Sequence, residues 1–146
     1  MSASRASAIV LEAATDRDHK PTVIDETHLE RMTLGDRRLE REVLELFVRQ
    51  TTIMLGRIES GDAPLAAAAA HTLKGSARGI GAWRVARAAE HVESAANGEN
   101  GTDSVTEAMT GALAEAITEL KTASLEASAA IGARLTGLLA ELTRTR

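Results

Sequence analysis

A chain of 146 residues has room for one domain around a single core. Hydrophobic residues make up 44% of it, yet aromatics only 1%, and there are two prolines and no cysteine. Alanine and leucine dominate and β-branched and aromatic residues are sparse, which predicts an all-α fold. The absence of cysteine excludes disulfides, thiol nucleophiles and thiolate metal sites, and fits a reducing, cytoplasmic setting. A net charge of -4 argues against nucleic acid as partner. No run nears the roughly 18 apolar residues of a membrane span, and Ile9-Val10-Leu11 is far too short for a signal-peptide core.

Residues 1–20, rich in Ser, Ala and charge, read as a flexible arm. Pro21 marks a boundary, and Asp25 is placed to cap a short helix carrying Leu29 and Met32. Asp36 follows Gly35 as the cap of a long second helix. Its apolar positions, Leu39, Val43, Leu46 with Phe47, Ile53 with Met54, and Ile58, recur at steps of three and four and end at Ser60-Gly61. Leu44, Val48 and Leu55 widen that stripe. Asp62 caps the third helix, with Pro64 tolerated in its first turn, and Gly79 or Gly81 stops it. The fourth turns Val85, Ala88, Ala89, Val92, Ala95 and Ala96 inward and is expected to end at Asn97-Gly98. Ser104-x-x-Glu107 reads as a capping box for the last helix.

From Val105 apolar positions continue through Met109, Leu113, Ile117, Leu120, Ala127, Ile131, Leu135, Leu138 and Leu142. A helix of that length, on the order of 55 Å at 1.5 Å per residue, exceeds what a bundle of ~20-residue helices needs. Its end therefore either bends back near Gly132 or projects. The near-heptad series Leu113, Ile117, Leu120, Ser124, Ala127, Ile131 allows self-association through this helix, although Ser124 and Ala127 weaken the seam. The expectation is an antiparallel, up-down four-helix bundle with an extra short N-terminal helix and a long C-terminal one. In domain terms this is an arm over 1–20, the bundle over 21–125 and a helical extension over 126–146.

The chemistry concentrates between Ala69 and Ala82. On a helix of about 100° per residue, Ala66, Ala70, Leu73, Ala77 and Ile80 form one inward stripe, and His71 lies about 200° from Leu73, pointing away from it. Its neighbours on the outer face are Ala67 and Ala68 one turn below, and Lys74, Gly75 and Arg78 above. Glycine inside a helix costs about 0.5–1 kcal/mol relative to alanine. Gly75 therefore makes sense if something approaches the backbone closely beside His71. Imidazole titrates close to neutral pH, so a neutral, nucleophilic form is available. Lys74 and Arg78 are within reach of an anion attached to it.

His71-Thr72-Leu73-Lys74-Gly75-Ser76-Ala77, followed by Ile80-Gly81-Ala82 and Ala89-x-x-Val92-Glu93, closely resembles the signature of histidine-containing phosphotransfer domains. The likeness runs from about residue 21 to 125. It takes in Val23-Ile24-Asp25, Gly35-Asp36 and the segment from Glu42 to Phe47, with Val92 standing where leucine is more usual. The resemblance implies that His71 accepts a phosphoryl group from a receiver-domain aspartate or from a histidine or hybrid kinase, and passes it on. Lys74 and Arg78 would balance the phosphate charge, and Ala67, Ala68 and Gly75 would leave room for the receiver. It further implies a phosphocarrier without an ATP site, binding no metal or other cofactor itself, with Mg²⁺ held by the partner receiver. The expected partners are receivers and kinases, with no nucleic acid and no membrane, and the expected state is a monomer.

Two other readings compete. The chain could be an unphosphorylated helical adaptor, or the detached phosphotransfer region of a chemotaxis-type kinase, although no Gly-rich nucleotide loop appears. A basic patch of Lys74, Arg78, Arg84 and Arg87 is offset by overall acidity. His28, and His91 with Arg87, read as solvated surface, Ser76 as structural, and Trp83 as the core anchor of a helix start.

Overall fold

The computed structural model describes residues 23–100 and 107–144, with the side chains of 99–100 and 107–110 excepted. The arm over 1–20 and Ser104 of the capping box lie outside them. Among the described residues the structure is all-helical: α1 (Glu26–Met32), α2 (Arg37–Ile58), α3 (Ala63–Ile80), α4 (Trp83–Asn100) and α5 (Glu107–Arg144). Aspartates open the first three, as their positions predicted. Asp25 accepts from the His28 amide, Asp36 from those of Arg38 and Leu39, and Asp62 from that of Leu65, each satisfying donors a helix start leaves orphaned. α4 runs through Gly98 rather than stopping there.

α2 packs on α3, α3 on α4, α4 on α5, and α5 returns to α2, so the four long helices enclose one core. α1 lies against α3. The α3–α4 turn rests on Gly81, whose φ of 80° puts it in the left-handed region. A Cβ there would sit 2.9 Å from the Cβ of Asp25 and 3.0 Å from its carbonyl oxygen. That clearance lets the Asp25 amide donate to the Gly81 carbonyl at 2.9 Å, which ties the start of α1 to the end of α3. Trp83 completes the junction, but not as a core residue. It is 44% exposed, its Nε1 donates to Asp25 Oδ2 at 3.0 Å, and its ring stands 4.9 Å from that of His28. Through that hydrogen bond, Trp83 first and then the His28 amide hold the Asp25 carboxyl below the usual carboxylate range.

α2 departs from the expected face. Its core positions are Glu40, Leu44, Phe47, Thr51, Met54 and Ile58, whereas Leu39, Leu46 and Ile53 are exposed. The helix carries two apolar faces, and two polar residues on the inner one, Glu40 and Thr51, mask it from a purely hydrophobic pattern. Thr51 is satisfied by donating to the Phe47 carbonyl. Glu40, 1% exposed, is satisfied by Arg134 of α5, whose Nε lies 3.0 Å from Oε1 and whose Nη2 pairs with the same oxygen, while Nη1 reaches Glu26 at 2.9 Å.

That network ties the C-terminal half of the long helix to α1 and α2. α5 continues without a break for 38 residues, about 57 Å at 1.5 Å per residue. It buries Ala127, Ile131 and Leu138 in the same core as the other helices, so residues 126–144 pack on the bundle rather than project. The near-heptad series is spent in this way. Leu120, Ser124, Ala127 and Ile131 are buried within the chain, and Leu113 and Ile117 pack against the core, so that seam is not free for self-association.

Removing Arg134 leaves the buried Glu40 carboxylate with only the longer 3.5 Å contact from Arg37. Arg134→Leu is expected to lower stability by about 3 kcal/mol, measured by chemical denaturation, and adding Glu40→Leu should restore most of the loss. An unchanged unfolding midpoint in Arg134→Leu would show that Glu40 does not depend on it.

Candidate functional site

α3 packs on both α2 and α4, so its buried arc is wide: Ala66, Ala67, Ala69, Ala70, Leu73, Ala77 and Ile80 all face inward. The face left to solvent is correspondingly narrow and carries Ala68, His71, Thr72, Gly75 and Arg78. Ala67 is corrected by this. At 8% exposure it belongs to the core and not to the outer face, because burial on two flanks reaches further round the helix than a single inward stripe suggests.

The His71 side chain is 69% exposed. Its Nδ1 lies 3.1 Å from Oε1 of Glu93 on α4, and Lys74 Nζ lies 2.9 Å from Oε2 of the same carboxylate in a close ion pair. One carboxylate thus bridges the imidazole and the lysine. The Lys74 ammonium foremost, and then the His71 ring, hold Glu93 below the usual carboxylate range, against a partial burial that pushes the other way. An ionised carboxylate only accepts hydrogen bonds, so Nδ1 carries the proton and the lone pair of the neutral ring sits on Nε2. The nitrogen that keeps its lone pair thus belongs to a largely exposed ring, oriented by the carboxylate on its other side.

Lys74 is drawn in more than its position on the outer face implied. Its side chain is only 15% exposed, with the stem lying toward α4. Arg78 is exposed two turns above His71 and makes no ion pair among the described residues. The structure therefore joins His71 to Lys74 through Glu93, a residue that the sequence reading quoted in a motif without a role. The signal was available: Glu93 follows the inward Val92 on the next helix, and a carboxylate is what a histidine ring needs to fix its tautomer.

A Cβ built on Gly75 meets nothing within 4 Å, and the same holds for Gly79 one turn on. No intramolecular packing requires either glycine. Ser76, between them, donates to Gln50 Oε1 at 3.0 Å and so joins α3 to α2. Beside this bond an apolar groove of about 250 Å³ opens between the two helices, walled by Val43, Leu46, Phe47, Gly79 and Ile80. Met32 also lines it, and Ile53, two turns on from Leu46 along α2, is exposed as well. Among the described residues no cluster of three His, Cys, Asp or Glu side chains is arranged to hold a metal ion, and no helix is long and apolar enough to cross a membrane.

The carboxylate bridge can be tested directly. Because Glu93 is more acidic in the folded state, its linkage stabilises above the ordinary carboxylate range and is lost as pH falls through the lowered value. Ring ¹⁵N shifts at pH 8 should report the Nδ1–H tautomer of His71 in the wild type and a mixture in Glu93→Ala, with helicity unchanged. Identical ring shifts in the two proteins would remove Glu93 from this role.

Comparison with curated proteins and with solved structures gives no match. A protein-family comparison matches the Hpt domain family over residues 42–123, more than half of the chain, taking in most of α2, all of α3 and α4, and the first part of α5. Family members are phosphocarriers that meet receiver domains and histidine kinases in two-component signalling. An all-helical bundle that holds an oriented, solvent-facing histidine inside the matched segment agrees with that result, and the chain belongs to the Hpt domain family.

Proposed function

We propose that this protein relays a phosphoryl group on Nε2 of His71, accepting it from a receiver aspartate or a histidine or hybrid kinase and yielding it to a receiver. The observation that carries the reading is the pinned ring: Nδ1 is engaged by Glu93 while the side chain is 69% exposed. In the step itself the Nε2 lone pair attacks phosphorus and the aspartate carboxylate leaves with the bonding pair. The Nδ1 proton stays shared with Glu93, which offsets the positive charge that develops on the ring. Lys74, already within one turn, balances the phosphoryl oxygens, and Arg78 adds a longer-range cation. Divalent metal chemistry belongs to the receiver, which brings Mg²⁺ in its own acidic pocket, and this chain acts as carrier rather than enzyme.

The docking face on this reading is the groove between α2 and α3 with its apolar extension. Gly75 gives clearance for close approach, and Ala68 does so on the other side of His71. Arg49, Arg57 and Arg78, without ion pairs among the described residues, suit an acidic partner. Short connections, residues 59–62 between α2 and α3 and 81–82 between α3 and α4, support an up-down arrangement. With its near-heptad seam covered, the protein acts as a monomer, and its partners put it in the cytoplasm.

Incubation with a phosphorylated receiver should label the peptide containing His71, and His71→Gln should abolish that label. A wild type that stays unlabelled across the receivers of its host would favour the helical adaptor instead. Gly75→Leu should fold at least as stably as the wild type, since glycine disfavours a helix interior by about 1 kcal/mol, yet transfer should be at least tenfold slower by rapid-quench kinetics. Undiminished transfer in that variant would refute the clearance argument.

A further inference from the structure

A second histidine repeats the geometry of the first on the next seam of the bundle. His91 of α4 has its Nδ1 3.1 Å from Oε2 of Glu119 on α5, and its side chain is 51% exposed. As at His71, a carboxylate on the following helix occupies Nδ1, so with Glu119 ionised the lone pair of the neutral ring lies on Nε2. The residues three and four positions on are small, Ser94 and Ala95, so the ring is not hemmed in from above. Arg87 stands one turn below. It lines a cleft of about 340 Å³ between α4 and α5 together with Arg84, Glu119 and Thr122. Arg84 is committed to Glu126 at 2.9 Å, whereas Arg87 makes no ion pair among the described residues.

We propose that His91 is a second phosphoacceptor, one that takes its phosphoryl group from a small phosphoryl donor rather than from a docked receiver. An oriented Nε2, a guanidinium one helical turn away that makes no ion pair among the described residues, and an adjoining cleft that shares Glu119 with His91 suit a compact anion. One feature that fits His71 to a protein partner has no counterpart here, since Ala95 rather than a glycine lies four residues on. With phosphoramidate as donor, the Nε2 lone pair attacks phosphorus and the P–N bond breaks. Ammonia leaves with the bonding pair, and the phosphorylated ring gives up its Nδ1 proton through Glu119 to water. Arg87, one turn away, supplies the cation that balances the phosphoryl oxygens.

The test uses the full chain and phosphoramidate, followed by ³¹P NMR and by peptide mapping of acid-labile phosphate. His71→Gln should still incorporate one phosphoryl group, mapped to His91, several-fold faster than N-acetylhistidine methylamide. The rate should fall to that of the model compound in His71→Gln/Glu119→Ala, and site-specific labelling should vanish in His71→Gln/His91→Gln. Labelling of His91 no faster than the model compound would overturn the proposal, as would its labelling by a phosphorylated receiver. Because the relay role of His71 is read with a receiver and His91 with a small donor, the failure of one leaves the other standing.

Discussion

The site rests on one carboxylate reaching across the seam between α3 and α4. Glu93 contacts His71 with one oxygen and Lys74 with the other, so a single side chain fixes the tautomer of the ring and holds the cation beside it. Helix spacing makes this possible. The facing positions are mostly alanine, including Ala66, Ala70 and Ala77 on α3 and Ala86, Ala88, Ala89 and Ala96 on α4, all buried, and small side chains allow a close approach. Bulkier residues on that seam would move the carboxylate away from both partners.

The same packing confines the exposed residues of α3, after its first turn, to one face. With α2 on one side and α4 on the other, α3 buries seven of its 18 residues, and beyond its first turn the exposed ones are Ala68, His71, Thr72, Gly75 and Arg78. On that face glycine replaces larger residues where no neighbour within the molecule demands it. The helix therefore bears a propensity cost that no packing contact among the described residues offsets.

At the other end of the molecule, a buried acid plays an organising part. Glu40 would be costly in the core without a cation, and Arg134 supplies it from almost a hundred residues later in the chain. Pairing this charge fixes Arg134 of α5 against α2, whereas apolar contacts are less directional. Arg37 adds to the junction by bridging Glu30, Glu40 and Glu141, although its exposed pairs contribute little by comparison.

The amino-acid sequence by itself determined the helical class, the three aspartate caps, the inward stripe of α3 and the position of His71 opposite it. These depend on propensity, capping chemistry and the 3.6-residue period, all of which act within a few residues. Only the tertiary structure decided which of the two apolar faces of α2 enters the core, because Glu40 and Thr51 are buried with partners that a hydrophobic pattern does not register. It likewise decided that Ala67 is covered, that Trp83 stays half outside while bonded to Asp25, and that residues 126–144 lie along the bundle. The role of Glu93 belongs to this second group. A carboxylate 22 residues from His71 becomes its partner only when two helices are laid side by side, and no local rule of sequence encodes that distance.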